Sequence, residues 1–329
     1  MKHVSILIPA GDIVVGSIEG PHKVLRQVND LLVSMGQPPA FEVELVGYRR
    51  ESSLNGGLFT LHAQRTIAEE FHTDLVIIPA PSQDVRQAVA ENQEVVAWIA
   101  RQYAAGAEVA SLCIGAFLLA ATGLLNGRQC ATHWIATNNF RELYPSVKLV
   151  AKKVITDEQG IYSSGGAYSY LNLVLHLVEK YVGREVALLC AKVFQIDISR
   201  QSQTLFAIFQ GQKAYADEPI WKTQEFIKSN VQQQMTVDEL AAMSFLGRRH
   251  FERRFKKATF NSVLEYIQWV KVEAAKHRLE SSHETVSEVM YAVGYSDAKA
   301  FRTVFKDVTR LSPTNYRAKY SHEAALVLK

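Results

Sequence analysis

Two stretches, DELAAMSFLGRRHFERRFKKAT (238–259) and SEVMYAVGYSDAKAFRTVFKDVT (287–309), repeat one another and decide how the second half of the chain is read. Phe251, Phe255, Lys256 and Thr259 recur as Phe301, Phe305, Lys306 and Thr309 at a constant offset of 50 residues. Glu239 and Glu288 differ by 49, so the second turn is one residue longer. Phenylalanines four apart share one face of a helix and belong in a core. Each copy therefore reads as a helix, a tight turn and a second helix, which is helix-turn-helix geometry. The face opposite the phenylalanines carries Arg248, Arg249 and Arg253 in the first copy and Lys299 and Arg302 in the second. Such cations pair with guanine edges or hold phosphates. A helix from about Val263 to Glu280 would be about 27 Å long at 1.5 Å per residue. It could hold two recognition helices against successive major-groove faces, about 34 Å apart.

Charge supports the same division. Residues 220–329 hold 18 Lys+Arg and 12 Asp+Glu, a balance of +6, against −3 for the rest of the chain. Clustered cations are what a polyphosphate partner rewards. The full 329 residues, 48% apolar and 21% charged, predict two globular domains rather than a disordered or low-complexity chain. The longest apolar stretch, VASLCIGAFLLAATGLL (109–125), is broken by Ser111, Gly115, Thr122 and Gly123 and falls short of a membrane span. The opening MKHVSILIPAGD lacks the long apolar core and cleavage site of a secretory signal. Three cysteines, odd in number and widely spaced, suit a reducing cytoplasm and argue against a disulfide framework. The ten histidines show no metal-ligand spacing, so neither metal nor cofactor is expected.

The first part alternates short, nearly continuous apolar strands with amphipathic helices. HVSILIPA (3–10), FEVELVGY (41–48), LVIIPA (75–80) and VASLCI (109–114) read as strands covered on both faces. HKVLRQVNDLLVSM (22–35) and EVVAWIARQYAAG (94–106) read as helices. The pattern predicts an α/β doubly wound, flavodoxin-like sandwich spanning 1–183, with an added strand pair and a packing helix near its end. A connecting segment (184–221), an all-α domain with two helix-turn-helix motifs (222–320) and a tail (321–329) complete the expected organisation. ISRQSQT (198–204) is the segment expected to transmit signals between domains. The glycines of GDIVVGSIEG (11–20) are assigned to loops, since their spacing is not a dinucleotide fingerprint.

Cys113, in SLCIG, ends a strand just before the helical AFLLAATGLL, and His133 follows in ATHW. A strand-to-helix turn points helix N–H groups at the thiol and lowers its pKa, so Cys113 could be a thiolate, with His133 as base or hydrogen-bond partner. The other reading is an inert buried cysteine and a structural histidine.

From Met235 to Tyr320 the sequence resembles the AraC family of transcription regulators, most specifically in SDAKAFRTVFKDVTRLSPTNYR (296–317). The resemblance implies that Arg249, Arg253, Lys299 and Arg302 face an operator in double-stranded DNA. Phe260 and Val263 stand where the family has Gly and Pro, and Arg310 where it has Gly. Residues 3 to about 182 resemble the PfpI-like branch of the class I glutamine-amidotransferase-like superfamily, through SLCIGAFLLAATGLLNGR and ATHW. The pair together resembles the GlxA-like group of regulators. That resemblance implies a front domain that senses a small metabolite, for which an amino-acid derivative or quaternary amine is the expected class, or that assists homodimerisation. RNA polymerase is a further partner it admits. The effector pocket is expected near Cys113, Ile114, His133, Ser17, Glu19, Ala80 and Ser82. Related hydrolases use paired glycine N–H groups after the third strand, whereas IIPAPSQ (77–83) places Pro81 there. They also place a carboxylate beside the thiol, whereas Ser17 falls near that position, Glu19 is offset by two, and Asp12 is a further candidate. No catalytic residue is therefore expected. The rival is a thiol-dependent hydrolase, hydratase or glyoxalase-like enzyme using Cys113, with a DNA-binding appendix.

Overall fold

The computed structural model describes residues 1–198, 203 and 217–321 and divides into two compact units, Met1–Gln203 and Thr204–Lys329. In the first, β1 (Lys2–Ile8), α1 (Gly16–Ser34), β2 (Phe41–Gly47), β3 (Glu51–Leu54), β4 (Phe59–His62), β5 (Arg65–Thr66) and β6 (Leu75–Ile78) lead to α2 (Val85–Glu91) and α3 (Gln93–Ala104). Then come β7 (Glu108–Leu112), α4 (Ala116–Ala121), β8 (Gln129–Cys130), α5 (Thr137–Leu143), β9 (Lys148–Leu149), β10 (Ile155–Glu158), β11 (Ile161–Ser164), α6 (Tyr170–Val182) and α7 (Arg184–Val193). Seven strands form one sheet in the order β10-β11-β7-β6-β1-β2-β5, parallel except for the β10–β11 pair.

Alternate residues of the central strands enter two separate cores. Val4, Ile6, Ile8, Leu75, Ile77, Ala110 and Leu112 pack under α1, α6 and α7, whereas Leu7, Val76, Ile78 and Val109 pack under α2 to α5. Burial on both faces explains why the strands read as unbroken apolar runs. The boundary expected at 183 is too early. Gly183, at φ 102°, reverses the chain, and α7 folds back to bury Val186, Ala187, Cys190 and Ala191 against α1 and α6, so this unit runs to Gln203. The loop assignment of 11–20 also needs correction, because Gly16 and Gly20 lie in α1. A Cβ at Gly20 would stand 2.9 Å from the Tyr170 hydroxyl oxygen, so the glycines leave room for that ring. Of ISRQSQT, only Ile198 and Gln203 fall within the described residues.

The second unit is helical throughout its described residues: α8 (Glu218–Ser229), α9 (Val237–Met243), α10 (Arg248–Thr259), α11 (Val263–Ser281), α12 (Val286–Ala292), α13 (Ala298–Thr309) and α14 (Pro313–Tyr320). No helix among the described residues is long and apolar enough to cross a membrane. Thr236 with Glu239 and Thr285 with Glu288 form equivalent capping boxes at the starts of α9 and α12. The repeat extends further than the sequence reading took it. Tyr266 meets Phe255 edge-on at 5.2 Å, as Tyr316 meets Phe305 at 5.4 Å, and Thr259 and Thr309 bond equivalent carbonyls. The first copy closes around Phe251, Phe255 and the N-terminal half of α11; the second closes around Phe301, Phe305 and its C-terminal half.

Phe260 and Arg310 end α10 and α13 in the left-handed conformation, at φ 56° and 62°. The turn therefore survives without the family's glycine, at the cost of a Cβ contact that glycine avoids. Arg310 is exposed, so Arg310→Gly is expected to stabilise the chain by about 0.5–1 kcal/mol, read as a raised urea midpoint. A lowered midpoint would show that the arginine side chain outweighs the strain.

Candidate functional site

Cys113 follows β7, at the carboxyl end of a central strand, and opens a short 3-10 turn (Cys113–Gly115) that leads into α4. Its φ of 56° is the strained elbow expected from the sequence. Gly115 is required there, since a Cβ would lie 2.5 Å from the carbonyl oxygen of Pro79. Of the two readings of Cys113, the thiolate is not supported. Cys113 is only 7% exposed, and burial pushes its thiol up to about 11, against the weaker opposing pull of the Ile114 N–H. A helix N-terminus lowers a thiol pKa only where the charged form is solvated or paired, and here desolvation wins. Alkylation of Cys113 by iodoacetamide, mapped by peptide mass, is expected to be slow at neutral pH and to rise about tenfold per unit between roughly pH 7 and 9. A rate already flat below about pH 8 would mean a thiolate.

The two loops that flank the elbow are zipped to each other. The Val14 N–H donates to the Ala80 carbonyl at 2.9 Å, and the Ser82 N–H donates to the Asp12 carbonyl at 2.9 Å. Ser17, fully buried, accepts from the Ala80 N–H at 3.0 Å and donates to the Val14 carbonyl at 2.6 Å. The backbone donor beside Pro81 is thus already taken, and no free pair of N–H groups faces the thiol from this loop. Glu19 makes no hydrogen bond to Ser17 or Cys113 among the described residues. It is exposed on α1, 3.9 Å from Lys23.

His133 lies one residue beyond Thr132, whose hydroxyl donates to the Cys113 carbonyl at 3.1 Å, so ATHW does pack against the elbow. Among the described residues, however, no hydrogen bond joins the imidazole to the thiol. His133 Nδ1 instead accepts from the Ile135 N–H at 3.2 Å and caps the next turn, and burial lowers the imidazole's pKa. Tyr170 was missed by the sequence reading. Its hydroxyl donates to the Gly16 carbonyl, and burial, helped by nearby Tyr168, Glu19 and Cys113, raises it to about 12. Nothing in the sequence distinguishes it from other helix-start aromatics. Two cavities of this unit, of about 470 and 400 Å³, open elsewhere. The larger includes Asn172, His176 and Ile198, the smaller Tyr48 and Arg49, and neither includes Cys113 or His133.

In the helical unit the residues expected to face DNA divide. Arg249 and Arg253 on α10 and Lys299 and Arg302 on α13 are exposed and make no ion pair among the described residues. Arg248 is committed: it pairs with Asp238 at 2.9 Å and Glu252 at 3.4 Å, pinning α10 to α9. Arg254, not singled out from the sequence, makes a bidentate pair with Asp217 at 2.7 and 2.9 Å that ties α10 to the start of α8 and holds that carboxyl below its usual pKa.

Residues 40–180 match the DJ-1/PfpI family and residues 240–319 match a helix-turn-helix domain family. The HTH-type transcriptional regulator GbdR of Pseudomonas aeruginosa is 25% identical over 228 residues, covering 68% of this chain; the chain spans 61% of that relative's length. The HTH-type transcriptional regulator GlxA of Rhizobium meliloti is 20% identical over 215 residues, covering 65% of this chain and 66% of GlxA. A THiJ/PfpI family protein from Pseudomonas syringae shares the fold of the first unit at a TM-score of 0.50 and 17% identity, covering 60% of this chain and 75% of its own. The chain thus joins a DJ-1/PfpI domain to an AraC-type helix-turn-helix domain, and its homologues are GlxA- and GbdR-type HTH transcriptional regulators.

Proposed function

We propose that this protein is a sequence-specific, DNA-binding transcriptional regulator of the cytoplasm whose front domain detects a small molecule rather than converting it. The observation that carries the DNA half is the duplicated helix-turn-helix unit with two exposed cations on each second helix that make no ion pair among the described residues: Arg249 and Arg253, then Lys299 and Arg302. Each pair offers donors to phosphates or base edges without first breaking an ion pair. Detection rather than turnover is supported by the high thiol pKa, the missing thiol–imidazole bond and the Ala80 N–H already held by Ser17. Ser17, Ala80, Ile114, Cys113 and His133 frame the region where an effector would be read; Ser82 stands at its edge. An effector that prefers one arrangement of the protein shifts its population and so the presentation of the DNA-reading helices. Homodimerisation and contact with RNA polymerase belong to the same reading.

The test is selection of bound duplexes from genomic fragments, followed by titration at several salt concentrations. A regulator of this kind shows a steep linear fall of log affinity with log salt and a ratio of specific to non-specific binding of about 10³ or more. Salt-insensitive binding, or none, would overturn the proposal.

A further inference from the structure

Three backbone carbonyls in the first unit, those of Thr132, Ala151 and Lys153, converge on one atom. That atom is the Nε2 of Gln203, at 3.0, 3.3 and 2.8 Å. The fit is poor on both sides of the amide. A primary amide nitrogen carries two hydrogens for three acceptors, and the amide's other end, Oε1, is buried with no partner. Gln203 is only 2% exposed, so water does not make up the deficit from bulk. A group with three hydrogens and no acceptor would suit the socket better, and the chain displays that solution elsewhere. The ammonium of Lys271 donates to three carbonyls, of Val231, Gln233 and Val293, at 2.7, 2.8 and 2.8 Å.

Gly165 gives the socket its room. A Cβ at Gly165 would lie 1.8 Å from Gln203 Nε2, and Gly165 lies outside the left-handed region, so glycine is there for room and not for a turn. The socket also adjoins the elbow: Thr132 gives its carbonyl to the socket and its hydroxyl to the Cys113 carbonyl, and His133 is the next residue.

We propose that the carbonyls of Thr132, Ala151 and Lys153, over Gly165, form a binding site for the primary ammonium group of a small amine or amino acid, and that Gln203 fills it as a displaceable plug. A ligand entering the socket ejects the side chain of the residue that ends the first unit in sequence, ahead of the DNA-binding domain. Occupancy and the state of that residue are then linked. This last consequence rests on the regulator reading above; the binding site does not.

The full-length protein is titrated calorimetrically with methylammonium chloride and with tetramethylammonium chloride, which has the same charge and no N–H, at matched ionic strength. Gln203→Ala removes the competitor and is expected to tighten methylammonium binding by about tenfold or more while leaving tetramethylammonium unchanged. Gly165→Ala puts a methyl group in the socket and is expected to abolish methylammonium binding with the far-UV spectrum retained. Should Gly165→Ala fail to fold, the Gln203→Ala comparison alone decides. Equal gains for both cations in Gln203→Ala, or no gain for either, would overturn the site. Binding to duplex DNA is followed in the same samples by fluorescence anisotropy. Selective methylammonium binding without DNA binding keeps the socket and removes the regulator reading; DNA binding without cation selectivity does the reverse.

Discussion

Alanine at both Arg249 and Lys299 is expected to lower affinity for the selected operator by about thirtyfold or more, since each good base or phosphate contact is worth about 1–3 kcal/mol. The two positions are equivalent, 50 residues apart, and each lies near the start of the second helix of its motif. Both are exposed and without an ion pair among the described residues, so truncating them removes contacts to the partner rather than a described ion pair of the fold. Neighbouring arginines provide the control. Arg248 already spends its guanidinium on Asp238 and Glu252, and Arg254 spends its own on Asp217. Arg254→Ala should therefore lower the urea midpoint more than it lowers DNA affinity, the opposite of Arg249→Ala. If phosphate contacts dominate, the slope of log affinity against log salt flattens by about one for each cation removed. Operator binding by the double variant within about threefold of the parent would remove α10 and α13 from the interface, since even one such contact exceeds that loss.

What the sequence made legible, and what it hid, follows from the range of the interactions involved. Strands β1, β6 and β7 could be read because burial on both faces leaves a local trace, an apolar run with no alternation, whereas β2 sets Glu42 and Glu44 between Phe41, Val43 and Leu45. The repeat could be read because identical cores need identical residues at fixed spacing, and it extends to Tyr266 and Tyr316 for the same reason. The domain boundary was misplaced at Gly183 because a glycine that ends a helix looks the same whether the next helix leaves the core or folds back onto it. The elbow at Cys113 was visible as a strand running into a helix, but its protonation state was not. Thiol pKa is set by what covers the sulfur, and that cover comes from segments distant in sequence. Ser17 was read near the position where relatives carry a carboxylate beside the thiol; its role in occupying the Ala80 N–H depends on a hydrogen bond spanning 63 residues, which no local pattern shows. Gln203 falls in ISRQSQT, singled out only by its position along the chain; its burial against three carbonyls comes from contacts 50 to 71 residues away and left no local trace.

Lys271→Met is expected to destabilise the helical domain by about 3 kcal/mol, the cost of leaving buried carbonyls without a donor once a charged hydrogen-bonding group is removed. Lys271 sits midway along α11, between Val270, which belongs to the core of the first motif, and Val272, which belongs to that of the second. Its side chain is almost wholly buried. The ammonium reaches the Val231 and Gln233 carbonyls beyond the end of α8 and the Val293 carbonyl at the end of α12, where helix dipoles favour a cation. One side chain thus fastens both motifs to the strut between them. Gly294 makes the approach possible, since a Cβ there would stand 2.5 Å from both the Gln232 carbonyl and the Lys271 nitrogen. Methionine keeps most of the stem and loses only the donor, so urea unfolding of the variant isolates the polar contribution; a loss below about 1 kcal/mol would mean that the carbonyls find other donors. The pH dependence gives a second reading. Burial lowers the folded pKa from 10.5 to about 8, so between these values the unfolded chain binds the extra proton, and this residue's contribution makes stability rise with pH. In Lys271→Met that rise is expected to vanish, and a variant that kept it would assign the slope to another group.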